Sequence, residues 1–203
     1  MKILYGTTNQ AKFNLMKSVS DSLGFELIGL NNINSPLPHI EESGKNPLEN
    51  AKIKAQTYYK AFSMPVFSCD SGLYFDGLPD ELQPMTHIRR VGGKNLTDDE
   101  MTEYYAGLSK AHGGKLVGRY KNAIYFVVND DLHFSRMDDS LASEPFIISD
   151  VPHSKKVKGF PLDRLSIDIK SGKYFYDVEN SVDNLAVVNG LEAFFKEALS
   201  KLR

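Results

Sequence analysis

The chain has 203 residues, enough for one generous domain or two small lobes, and its 41% hydrophobic and 25% charged residues suit a globular protein with a real core. A net charge of −2 gives no general case for nucleic-acid or membrane adhesion, and no apolar run approaches the roughly 20 residues of a membrane span. The single cysteine, Cys69, excludes an internal disulfide and fits a reducing compartment, and polar residues from Thr7 onward leave no apolar core for a signal peptide. The expectation is a cytoplasmic protein.

In chain order, "KILY" (2–5) reads as a short buried strand. Leu15, Met16, Val19 and Leu23 then fall at helical spacing, with Gly24 ending the run. "FELIGL" (25–30) reads as a second strand, so the first thirty residues form a βαβ unit with a parallel pair. After a loop at 31–39, "NPLENAKIKAQTYYKAF" (46–62) is the clearest helix. Asn46 caps it, Pro47 suits its first turn, Glu49 takes the capping-box position, and Leu48, Ala51, Ala55, Tyr58 or Tyr59 and Phe62 form the apolar stripe. "PVFSCDSGLYFDGL" (65–78) reads as strand, tight turn, strand, and residues 79–96 as irregular.

"TDDEMTEYYAGLSK" (97–110) opens with a second capping box, Thr97 with Glu100, and is a helix. "GRYKNAIYFVVND" (118–130) is a long strand with "DLHFSRM" (131–137) as its hairpin partner. "EPFIIS" (144–149) and "RLSIDI" (164–169) are weaker strands, and "LEAFFKEALSKL" (191–202) is an amphipathic terminal helix. The mixture predicts an α/β fold, residues 1–203 forming a single elongated domain of two lobes around a mixed β-sheet with a central cleft.

Three stretches can carry chemistry. In "GTTNQAK" (6–12), the turn between strand and helix offers exposed N–H groups, the neutral donors Thr7 and Asn9, and the positive charge of Lys12, a pattern suited to a phosphate. The same residues equally serve as an ordinary helix cap with a solvated lysine. Glu41 and Glu42 precede the second helix, and Asp70, followed by Ser71 and Gly72, ends an apolar run. A few carboxylates at element ends are what a hard cation such as Mg²⁺ takes when phosphate oxygens complete its shell. Asp-Ser-Gly is also a common turn. The histidines at 39, 87, 112, 133 and 153 have no metal-ligand spacing, and Cys69 reads as a small buried hydrophobe.

On these residues the chain resembles the inosine triphosphate pyrophosphatase family, the non-canonical purine nucleoside triphosphate pyrophosphatases. Thr7-x-Asn9-x-x-Lys12 resembles the family's phosphate-binding opening, "EESGKNPLENAKIKA" (41–55) its acidic turn and E-N-A-x-x-K-A helix, and "CDSGLYFDGL" (69–78) its D-D-S-G-L segment. "PMTHIRRVGG" (84–93) and "GFPLD" (159–163) are fainter matches to its arginine loop and G-F-G-Y-D segment. The chain departs from the pattern at Cys69, where the family has an aspartate, and at Met85 and Ile88. It also lacks any Lys, His or Arg in "YDVENSVDNLAVVNG" (176–190), where the family grips the base.

The resemblance implies Mg²⁺-dependent hydrolysis of a nucleoside triphosphate to the monophosphate and pyrophosphate by a homodimer, with no nucleic-acid or membrane partner. It gives Asp70 and Lys12 catalytic roles, Glu42 and Asp70 the metal, and Thr7, Asn9, Lys12, Ser71 and Arg90 the polyphosphate. Read from the residues themselves, Phe160 is either a ring that stacks on the base or simple core, Asp163 can accept from a ring N–H, and Asn180, Asp183 and Asn184 suit a different base or nothing specific. The alternatives are the same fold acting on a different nucleotide, or a nucleotide-binding protein that has lost catalysis.

Overall fold

The computed structural model describes residues 1–178 and 185–202. The chain divides into two compact units, Met1–Ser71 with Lys121–Ala142 and Leu185–Arg203, and Gly72–Tyr120 with Ser143–Asn184.

The first unit holds the parallel strands. β1 (Lys2–Tyr5) pairs with β2 (Glu26–Gly29) from Lys2↔Glu26 to Tyr5↔Gly29, and with β3 (Val66–Phe75) at Leu4↔Val66 and Tyr5↔Phe67. The expected βαβ unit is present, its helix α1 (Gln10–Leu23) ending at Gly24 in the left-handed conformation. Long strand β6 (Lys115–Val127) pairs antiparallel with β7 (His133–Arg136), as the hairpin reading expected.

Alternation along these strands sends side chains to two apolar layers. Ile3, Tyr5, Phe67, Ile124 and Phe126 pack with Met16 and Val19 of α1 and with Leu191, Phe194 and Phe195 of the last helix, α4 (Leu185–Ser200). Leu4, Val66, Tyr125 and Val127 pack with Ala51, Ala55 and Tyr58 of α2 (Pro47–Phe62). A strand layer covered on both faces explains why "KILY" carries no polar alternation.

In the second unit β6 pairs antiparallel with β8 (Phe146–Ser149), and β8 with β9 (Ser166–Asp168). Helix α3 (Asp98–Ala111) carries the predicted capping box, and its Met101 and Tyr105 pack on Leu116, Phe146 and Ile148. Strand order in the seven-stranded sheet is β2-β1-β3-β6-β8-β9, with β7 also on β6.

Three local expectations are corrected. Residues 66–75 form one continuous strand, not two strands and a turn. An Asp-Ser-Gly turn needs the aspartate to bond its own backbone, but Asp70 is drawn to side chains of α2 instead. Residues 79–96 contain a two-stranded hairpin, β4 (Arg90–Val91) and β5 (Lys94–Asn95), turned by Gly92 and Gly93 at φ of 56° and 80°. The terminal helix starts at Leu185 rather than 191. Gly190 lies inside the helix, where a Cβ would collide with the Ser140 carbonyl oxygen.

Candidate functional site

The first unit brings Lys12, Ser71, Asp70 and Glu42 together at the middle of β3, just past the end of β1. β1 stops pairing at Tyr5↔Phe67, so Cys69, Asp70 and Ser71 extend past its last paired residue. Here the chain turns into α1. The Thr7 hydroxyl accepts from Asn9 N–H at 3.1 Å, and Asn9 Oδ1 accepts from Lys12 N–H at 3.0 Å, so both side chains build the cap that aims the helix. Lys12 is half-buried and its Nζ reaches the Ser71 hydroxyl at 3.4 Å. Among the described residues no carboxylate pairs with Lys12, which leaves its charge open to an anion.

The opposite face of β3 carries the acids. Asp70 Oδ1 accepts from Lys54 Nζ at 2.7 Å and Oδ2 from Asn50 Nδ2 at 3.2 Å. Lys54 Nζ also donates to Glu42 Oε2 at 3.1 Å, so one ammonium joins the two carboxylates. The side chains of Asp70 and Lys54 are 12% and 14% exposed, whereas Glu42 is 47% exposed. Burial pulls the Lys54 pKa down, but Asp70 and then Glu42 outweigh it and hold the ammonium above its ordinary value.

Lys12–Ser71 and Lys54–Asp70 thus occupy opposite faces of one strand, at adjacent residues whose Cα atoms are about 3.8 Å apart. The charges of Lys12, Lys54 and Asp70 all act on the Cys69 thiol. Burial nevertheless dominates there and pushes it up to about 11, so Cys69 is a neutral thiol, as the hydrophobe reading expected.

Asn50 and Lys54 received no role in the sequence reading. Their signal is visible in α2, where two polar residues at i and i+4 fall beside the buried Ala51, Ala55 and Tyr58. Both lie in the E-N-A-x-x-K-A run.

Glu42 and Asp70 lie within reach of one cation, the position taken by Lys54 Nζ. Among the described residues no group of three or more His, Cys, Asp or Glu is placed to hold a metal ion. Two carboxylate donors with the remaining positions left to phosphate and water is nonetheless an arrangement that Mg²⁺ adopts, so the donor set fits that ion.

The second unit carries the other predicted residues. Arg90 is exposed on β4 and makes no ion pair among the described residues, unlike Arg89, which pairs with Asp98 at 2.8 Å. Phe160 is 54% exposed, so it is a surface aromatic and not core. Asp163 is half-buried, and burial raises its carboxyl pKa. Asn180, Asp183 and Asn184 lie outside the described residues.

A parallel βαβ opening, a lysine on its first helical turn and two carboxylates sharing one ammonium define a mixed α/β protein with both charges gathered around the middle of β3. The Ham1 family profile matches residues 3–134, and the chain belongs to the Ham1 family, in agreement with the resemblance read from its motifs. It is 28% identical over 127 residues to the dITP/XTP pyrophosphatase of Methylococcus capsulatus, covering 62% of this chain and 61% of that relative. It is 28% identical over 148 residues to the dITP/XTP pyrophosphatase of Symbiobacterium thermophilum, covering 71% and 72%. The chain therefore spans less than two thirds of the first relative's length. A solved Ham1 protein from Staphylococcus aureus shares the fold, with a TM-score of 0.77 at 22% identity over 97% of this chain and 99% of that one. No helix among the described residues is long and apolar enough to cross a membrane.

Proposed function

We propose that the chain hydrolyses a nucleoside triphosphate with a non-standard purine base to its monophosphate and pyrophosphate. The observation that carries the reading is the Lys12–Ser71 and Lys54–Asp70–Glu42 pair of contacts on adjacent residues of β3. One side supplies a cation without a carboxylate partner, the other two carboxylates within reach of one ion. The names of the curated relatives, dITP/XTP pyrophosphatases, supply the reaction and substrate class.

The polyphosphate lies beside the middle of β3. Lys12, the Ser71 hydroxyl and the donors of the Thr7–Asn9 turn hold its oxygens. Glu42 and Asp70 would hold Mg²⁺, which would supply neutralisation of phosphate charge and acidification of a bound water. Asp70 orients the water that attacks the α-phosphorus and accepts its proton, and the bond to the β-phosphate bridging oxygen breaks. Lys54 steadies both carboxylates before substrate arrives. A homodimer belongs to the same reading, and sedimentation tests it.

The test is product analysis across a panel of nucleoside triphosphates with Mg²⁺. The reading expects pyrophosphate and monophosphate, faster from dITP and XTP than from ATP or GTP. Orthophosphate with a diphosphate, or no product at all, overturns it. The stretch 176–190 has no Lys, His or Arg to donate to a purine carbonyl, which favours one second reading, the same cleavage on another base. Pyrophosphate from a pyrimidine or standard purine alone would establish that one.

A further inference from the structure

Asn50 is only 2% exposed, at the fourth position of α2. Asparagine is a poor helix former, and a buried amide is costly unless both of its ends are bonded. Here both ends are. Nδ2 donates to Asp70 Oδ2 at 3.2 Å, and Oδ1 accepts from the Gly44 N–H at 2.8 Å in a buried contact. These partners fix which way the amide points, since a carboxylate needs the donor and an N–H needs the acceptor.

Gly44 belongs to the loop that carries Glu42, two residues away. The loop lies directly on the first turn of α2, where a Cβ on Gly44 would meet Asn50 Oδ1 at 2.6 Å and Glu49 Cβ at 2.7 Å. Asn50 thus connects the loop bearing one carboxylate to the strand bearing the other. Lys54, one turn later on α2, joins the same two carboxylates by charge. The two links differ in kind. The ammonium is a point charge on a flexible stem, shared between two carboxylates, whereas the amide is neutral and fixed by partners at both ends.

We infer that Asn50 is a positioning residue, holding the Asp70 carboxylate in its working orientation and tying it to the Glu42 loop. The inference rests on the pyrophosphatase reading of this site. Its consequence is a division of labour within one side chain: Oδ1 orders the loop and Nδ2 aims the carboxylate. A misaimed base lowers the rate of the chemical step by about 10–10² without weakening substrate binding, so the loss falls on kcat and not on KM.

Two variants separate the ends of the amide. Asn50→Asp keeps an oxygen for the Gly44 N–H but has no donor for Asp70. Asn50→Leu, of similar size, has neither. Hydrogen exchange of the Gly44 amide, thermal unfolding and steady-state pyrophosphate release are measured on the full chain. In Asn50→Asp the expected result is Gly44 protection and KM within about twofold of wild type, with kcat at least about tenfold lower. In Asn50→Leu both Gly44 protection and kcat fall, and if Asn50→Asp does not fold, an Asn50→Leu protein with wild-type kcat overturns the inference. A purely structural role makes kcat follow Gly44 protection, so a folded Asn50→Asp with wild-type kcat overturns the inference. A wild-type chain releasing no pyrophosphate overturns the function itself and the positioning role with it, an outcome distinct from an insensitive variant.

Discussion

Replacing Lys54 by Met removes the ammonium that Asp70 and Glu42 share, and the structure sets the size of the effect. Asp70 is 12% exposed and loses its 2.7 Å partner, keeping only the amide of Asn50. Breaking a buried ion pair by removing one partner costs about 3–5 kcal/mol, because the other charge stays buried. The surviving Asn50 bond puts this site near the lower end, about 3 kcal/mol. Glu42, 47% exposed, contributes little, since exposed pairs are worth about 0–1 kcal/mol. For a chain of this size the melting temperature falls by about 6–12 °C. Removing the acid instead is milder, because in Asp70→Asn the lysine keeps Glu42 and partial access to water. The double variant Lys54→Met/Asp70→Leu puts apolar groups in place of both charges and recovers much of the loss. Differential scanning calorimetry of these three variants and of Asp70→Leu is the assay. A Lys54→Met protein as stable as wild type, or a double variant whose loss equals the sum of Lys54→Met and Asp70→Leu, refutes the reasoning.

Two further outcomes follow from the geometry. Gly190→Ala gains about 1 kcal/mol in helix propensity but drives a methyl into the Ser140 backbone, an overpacking cost of about 3 kcal/mol; the net loss of about 2 kcal/mol lowers the melting temperature by about 4–8 °C, and an unchanged or raised value contradicts the close approach. Glu100 is held to a pKa of about 2 by Lys94 and by the N–H and hydroxyl of Thr97, below its ordinary 4.5, so its contribution is complete above the unfolded value and is lost as pH falls through the folded one. The melting-temperature gap between wild type and Glu100→Gln should therefore narrow between about pH 5 and pH 2, and a gap that widens would show the sign to be wrong.

Much of the fold was legible because its signals are local. The caps at Asn9, Asn46 and Thr97 and the Gly24 stop all read directly from short patterns. Asp70 was found as a site residue while its backbone was misread, since a turn pattern cannot reveal that α2 supplies the aspartate's bonds. The need for glycine at position 190 is equally remote: the carbonyl it must clear comes from a segment fifty residues away in sequence. In the candidate site, residue type singles out Lys12, Glu42 and Asp70, and the structure sets Lys12 against Ser71 of β3 and joins Glu42 to Asp70 through Lys54. Asn50 and Lys54 were harder, because a helix pattern shows that a polar residue interrupts an apolar stripe but not what it meets there. Phe160 could be read either as core or as a stacking surface, and only its exposure separates the two.

The most direct test of the central claim is single-turnover pyrophosphate release from dITP or XTP with Mg²⁺, comparing wild type with Asp70→Asn. The account predicts one pyrophosphate per monophosphate from the wild type and a rate about 10²–10³ lower in the variant, the usual penalty for losing a group that stabilises the transition state. Equal rates in the two proteins would contradict it.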